Sequence, residues 1–156
     1  MRILVIDQSL RHFGYSLWED KKLIDYAAFK SDLTTEDTLF IRLREIYDVF
    51  EKLIVDNKPD AIVTEAMWLG PNPSVFKVLT ILTAFLLVLS WKHEKKFKEV
   101  NIRKYRCYFK LIGKDEVKAF VQKAYPEIKI DKNKDISDAI VLGRYITENT
   151  GDLDKC

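Results

Sequence analysis

Cysteine is nearly absent. The 156 residues hold two, Cys107 and Cys156, which excludes a disulfide framework and makes a reducing, cytoplasmic setting the expected one. Histidine is limited to His12, on the first loop, and His93, among lysines at a helix end. That pair supports no His/Cys metal site. The five glycines form no phosphate-cradling loop, which argues against a nucleotide-dependent kinase or ATPase. No internal repeat, low-complexity tract or linker interrupts the chain, so one domain over residues 1–156 is expected. The opening "MRILVID" reaches an acid at Asp7, too soon for the apolar core of a signal peptide.

What is present describes an ordinary globular protein: 47% hydrophobic and 32% charged residues. The net charge of +2 hides an asymmetry. From Lys92 to Lys134 there are 14 Lys/Arg against 6 Asp/Glu, and the remainder carries 12 bases and 18 acids. A basic block on an acidic body suits a polyanionic partner, although a solvated lysine-rich face has the same composition.

Hydrophobic patterning outlines the elements. The apolar run Ile3–Ile6 reads as a strand buried on both faces, and Tyr15–Glu19 and Leu23–Phe29 flank a "DKK" turn as in a hairpin. Thr34 or Thr35 is positioned to cap a helix from Glu36 to Asp56, with Leu39, Phe40, Leu43, Ile46, Tyr47, Phe50, Leu53 and Ile54 as its apolar stripe. A second buried strand, "DAIVTE", ends at Glu65. Asn72-Pro73 starts a helix to His93 that is apolar nearly all round. A membrane span is the sharp alternative for it, but Lys77 and "KHEKK" bound the apolar run. Burial by its own sheet and by a second subunit is the expected arrangement, with Leu82 and Leu86 on the dimer face. A strand at Phe97–Val100, a basic helix at Asn101–Lys110, a helix at Lys114–Tyr125 and a last helix from Asp135 complete a layered α/β sheet.

Four acids stand out. Asp7 and Glu65 end the two buried strands, and "DISD" places Asp135 and Asp138 one turn apart at the start of the last helix. If the strands are parallel neighbours, both carboxylates emerge at the sheet edge where α/β folds bind ligands. Four converging carboxylates raise one another's pKa. Hard cations such as Mg2+ relieve that repulsion, and two of them roughly 3.5–4 Å apart form the clamp used in phosphodiester cleavage. Taken singly, Asp135 reads as a helix cap and Glu65 as an ordinary strand-end acid; the ordered set is the selective feature.

"ILVIDQSLRHFGY", "DAIVTEAMW" and "DISDAIVLGRY" resemble, in order and spacing, the three acidic segments of the RuvC-type Holliday junction resolvases. The resemblance spans almost the whole chain. It implies an α/β ribonuclease-H-like fold, a five-stranded mixed sheet flanked by helices, and a homodimer. It also implies Mg2+- or Mn2+-dependent nicking of four-way DNA junctions, with two ions held by Asp7, Glu65, Asp135 and Asp138. Trp68 resembles the family's aromatic wedge at the junction crossover, with Met67 as a helper, while a Trp68 folded back on Leu69 and Pro71 is the plain alternative. Lys104 and Lys114 take the positions of the family's basic pair, Lys114 near the scissile phosphate, and Arg103, Arg106 and Lys110 become phosphate-positioning contacts.

Two departures matter. Gln8-Ser9 stands where the family has Pro-Gly, and the chain's length looks like that of a phage-encoded variant. Both set its cleavage-sequence preference and any cooperation with a branch-migration motor apart from the family pattern. Two other functions fit the same residues: a ribonuclease-H-like nuclease acting on forks, flaps or RNA–DNA hybrids, and a non-catalytic branched-DNA-binding module.

Overall fold

A computed structural model describes residues 1–33, 38–67, 70, 72–128 and 135–153. Strands β1 (Arg2–Asp7), β2 (His12–Glu19), β3 (Lys22–Lys30), β4 (Ala61–Glu65) and β5 (Lys96–Val100) form one mixed sheet in the order β3-β2-β1-β4-β5. β1 and β4 run parallel, Ile6 beside Thr64, so Asp7 and Glu65 leave the sheet at the same edge. Helix α1 spans Leu39–Asn57, α2 Pro73–Lys92, α3 Ile102–Tyr108, α4 Lys114–Ala124 and α5 Asp135–Glu148.

Side chains on a strand alternate between faces, and this divides the core in two. Ile3 and Val5 of β1, with Ala61 and Val63 of β4, pack under α3, α4 and α5. Leu4, Ile6 and Ile62 pack under α1 and α2. By the same parity Asp7 and Glu65 belong to the α5 side.

α5 is held there by a buried polar chain. Trp18 Nε1 donates to Ser16 Oγ (2.9 Å), which donates to the carbonyl of Ala139 (2.7 Å). Two glycines permit the approach. A Cβ on Gly143 would strike the Trp18 indole, and one on Gly14 would overlap the backbone of Asp135 and Ile136.

Three expectations are corrected. Leu82 and Leu86 are fully buried in this chain's own core, because they sit on the face of α2 that meets the sheet, and so they cannot be outward dimer contacts. Ala84, Val88 and Trp91 are exposed instead. α1 begins at Leu39, capped by Thr38, whose side chain accepts from the Ile41 amide; Thr34 and Thr35 lie outside the described residues. Phe40, placed in the apolar stripe, is 74% exposed, since it falls in the first turn, ahead of the part of the helix that touches the sheet. α2 is long and apolar enough to cross a membrane by composition, yet Leu82, Leu86 and Leu89 are buried in the core on the α1/α2 face.

Candidate active site

The chain ends of β1 and β4 set the first two acids. Asp7 pairs across the sheet with Gly14 of β2. Because Gly14 has no side chain, α5 begins directly over it, bringing Asp135 and Asp138 to the same edge. Burial raises the Asp7 pKa well above the ordinary carboxylate range, and the charges of Asp138, Glu65 and Asp135 raise it further; Lys114 opposes them. Glu65 is raised chiefly by burial and then by Asp138, against Tyr105, Arg106 and Lys114. The four acids therefore feel one another, as their sequence positions suggest.

Three of them have a neutralising or hydrogen-bonded partner. Tyr105 Oη donates to Glu65 Oε2 (2.6 Å), and Arg106 Nη2 donates to Asp138 Oδ1 (3.0 Å). These are consecutive residues of α3, whose Asn101 caps the helix by accepting from the Arg103 amide. His12 Nδ1 lies 2.6 Å from Asp135 Oδ2. Tyr105 is fully buried, and burial with the charge of Glu65 pushes its phenol far above the ordinary range. It is thus a fixed donor.

Gln8 accounts for the departure in the first loop. It is buried, and its Nε2 donates to the Glu65 carbonyl (3.3 Å) and to Thr83 Oγ1 of α2 (3.1 Å). Thr64 Oγ1 donates to the Ile6 carbonyl (2.9 Å) and also touches the Gln8 amide oxygen. A proline there would supply none of these bonds; the glutamine ties β1, β4 and α2 together just behind the acids.

A cleft of about 330 Å3 opens over Asp7, Gln8 and Glu65, walled by Met67, Phe76 and Leu79. Met67 lines this cleft with Asp7 and Glu65, while Trp68, expected as an aromatic wedge with Met67 as its helper, lies outside the described residues. Lys114, the first residue of α4, acts on both Asp7 and Glu65. Arg103, Lys104 and Lys110 are exposed. Arg106, expected as a phosphate-positioning contact, pairs here with Asp138, their side chains 18% and 5% exposed. It is the arginine of α3 that reaches the acids.

Sequence reasoning missed His12, Tyr105 and Gln8. His12 sits five residues past Asp7, at the start of β2 and beside Asp135, a relation visible only once β2 is known to start at residue 12. Tyr105 looked like one more aromatic in a basic helix.

The donor set is chemically suited to a hard divalent ion: four carboxylates with their charges uncompensated at Asp7. As the side chains lie, no group of three or more acidic, His or Cys residues among the described residues forms a ready-made metal cage. Tyr105, Arg106 and His12 engage three of the carboxylates.

A five-stranded mixed sheet with an acidic cluster at the parallel-strand edge defines the ribonuclease-H-like class of α/β folds. Within that class the chain is similar to RuvC proteins. It is 26% identical over 151 residues to the crossover junction endodeoxyribonuclease RuvC of Alkaliphilus metalliredigens, covering 91% of this chain and 90% of that one. The RuvC of Alkaliphilus oremlandii is 23% identical over the same shares. The fold superimposes on Thermus thermophilus RuvC in complex with a Holliday junction substrate with a TM-score of 0.80, at 14% identity and 97% coverage of both chains. For the yeast mitochondrial Holliday junction resolvase Ydc2 the TM-score is 0.69, at 16% identity, covering 97% of this chain and 80% of that one. No family model matches the sequence. The matches cover 90% of each bacterial relative's length.

Proposed function

We infer that the chain is a metal-dependent, structure-selective endodeoxyribonuclease that nicks four-way DNA junctions. The observation that carries this reading is the mutual electrostatic contact of Asp7, Glu65, Asp135 and Asp138 at the open edge of a RuvC-type sheet. Mg2+ or Mn2+, as a pair of ions, would be held by these four carboxylates and would supply an activated water and a stabilised leaving oxygen.

The chain's own residues prepare that site. Tyr105 and Arg106 orient Glu65 and Asp138 from one helix, and His12 orients Asp135. Gln8 fixes the backbone of Glu65. Lys114 adds positive charge beside Asp7, and the exposed Arg103, Lys104 and Lys110 offer phosphate contacts along the same side.

The exposed apolar stripe of α2 (Ala84, Val88 and Trp91, with part-buried Leu87) supports a homodimer built on this helix. Two sites related by a two-fold axis match the symmetry of a junction that needs two nicks. An exposed free thiol at Cys107 supports a reducing, cytoplasmic setting.

The test is cleavage of end-labelled four-way junctions, forks, flaps, duplex and RNA–DNA hybrids, with Mg2+, Mn2+ or chelator. Paired nicks confined to the junction and lost with chelator are expected. Equal cutting of forks or hybrids would move the reading to a general ribonuclease-H-like nuclease, and tight junction binding without cleavage in either metal to a non-catalytic module.

A further inference from the structure

A second pocket lies beside the acidic cleft and differs from it in charge. It has a volume of about 400 Å3 and is lined by Ser9, Leu10, Arg11, His12, Arg42, Ser74, Val75, Val78 and Leu79. Its lining brings two arginines and a histidine together from the β1–β2 loop, β2 and α1, and among the described residues no acid lines it. The neighbouring cleft is lined by Asp7 and Glu65 and by no base among the described residues. The two share Val75 and Leu79 of α2 as a common wall.

Arg42 is unusual for a helix residue at a surface pocket. Its Nε is buried and has no hydrogen-bond partner among the described residues. A buried donor without an acceptor is costly, and a guanidinium matches a phosphate with two parallel bonds. His12 joins the pocket to the site, since its Nδ1 is engaged with Asp135.

We propose that this pocket is a phosphate seat for the DNA strand being cut: Arg11 and Arg42 grip a backbone phosphate next to the one lying over the acids. Ser9 and Ser74 offer hydroxyls to the same group, and Leu10 and Val78 form an apolar floor for its sugar. The inference rests on the junction-nuclease reading and adds a contact on the α1 side of the sheet, away from the basic segment between Lys92 and Lys134. A strand held at two adjacent points, one on each side of the α2 wall, is fixed in register over the carboxylates.

The test measures junction affinity against salt on the full chain carrying Asp7→Asn, so that no junction is consumed. Arg42→Gln and Arg11→Gln should each lower the slope of log K against log salt by about 1. Lys22→Gln, an equal charge change at the start of β3, should leave it unaltered, and Arg42→Lys should keep the slope. Junctions with single methylphosphonates at successive positions near the cut should weaken the parent chain at one position, and Arg42→Gln should erase that penalty. Unchanged slopes with no such position overturn the proposal while leaving the nuclease reading standing; failure of the parent chain to bind junctions at all overturns the reading itself. Saturable binding of inorganic phosphate alone, blocked by Arg42→Gln but without effect on DNA, would make the pocket a small-anion site and also overturn the proposal.

Discussion

The two faces of the sheet are covered by helices of opposite character. α5 has a mixed sequence with an acid at either end of its first turn, yet ten of its 14 residues are buried, Asp138 among them. α2 is more apolar, yet buries five of 20 and leaves Val75, Val88 and Trp91 in solvent. Composition therefore does not decide depth. Small residues do: Gly14 and Gly143 let α5 settle onto β2, whereas α2 touches the sheet with one stripe. The α5 face is the buried platform that a set of carboxylates needs, and the α2 face leaves apolar side chains in solvent, the surface proposed above for a second copy of the chain.

The contrast breaks most visibly at Asp7. Asp7→Asn should reduce junction cleavage to background while leaving junction binding intact, because affinity comes mainly from the basic residues. It should also raise the melting temperature. Asp7 and Glu65 both have raised folded pKa values, so the folded state binds their protons more tightly than the unfolded chain does. Their contribution to stability is greatest at low pH and is lost as pH rises from about 4 through the raised values. In chelator, the parent chain should melt lower at pH 8 than at pH 5, and Asp7→Asn should flatten that trend, at about 2–4 °C per kcal/mol. Mg2+ should stabilise the parent more as pH rises, since it needs the ionised carboxylates. Full cleavage by Asp7→Asn would remove the assigned site.

Gly14→Ala attacks the platform rather than the chemistry. The new Cβ meets the backbone of Asp135 and Ile136, which cannot yield as a flexible side chain would. Overpacking of this kind costs about 1–3 kcal/mol, and the start of α5 must shift with both of its acids. Loss of cleavage should accompany a lower melting temperature, with binding little changed. An active, equally stable Gly14→Ala chain would show that α5 does not depend on that close approach.

How far the sequence exposed this arrangement depends on which physical signal carried each part. Strand-end acids after "ILVI" and "AIVT" are legible because a buried parallel strand must be apolar throughout and so announces where it ends. The D-x-x-D pair is legible from helix period alone. The direction a helix faces is harder when its apolar residues run all round: periodicity gives α2 no preferred stripe, so Leu82 and Leu86 looked as available as Val88. Side-chain partners across the fold, such as Tyr105 with Glu65 or Arg106 with Asp138, depend on the docking of α3 and leave no trace in local spacing. Gln8 read as a departure from a family pattern, and only the junction of β1, β4 and α2 shows what it does.

On the α2 face, Val88→Glu tests the exposed stripe. Val88 is 47% exposed, so a charge there costs the monomer little but would be buried in a two-fold contact, where an unpaired carboxylate costs several kcal/mol. Sedimentation should show a dimer for the parent and a monomer for Val88→Glu, with single, unpaired nicks as the functional consequence. A parent chain that stays monomeric at micromolar concentration would leave the α2 face without a partner copy. Leu82→Glu and Leu86→Glu should instead unfold the chain, because both side chains are in the core.

The smallest effects should separate two lysines on the α5 face. Lys114 acts on Asp7 and Glu65 from the first residue of α4, whereas Lys104 is exposed on α3. A surface lysine that contacts phosphate contributes about one unit of salt slope and little to the chemical step. A lysine among the acids lowers their pKa and so acts on the rate as well. Lys104→Ala should therefore weaken binding and flatten its salt dependence with an unchanged single-turnover rate at saturating enzyme. Lys114→Ala should slow that rate and shift the cleavage pH profile upward, because Asp7 and Glu65 lose a charge that favours their ionised forms. If Lys114→Ala changes only affinity, its charge serves the DNA backbone rather than the carboxylates, and the α5 face holds its acids without it.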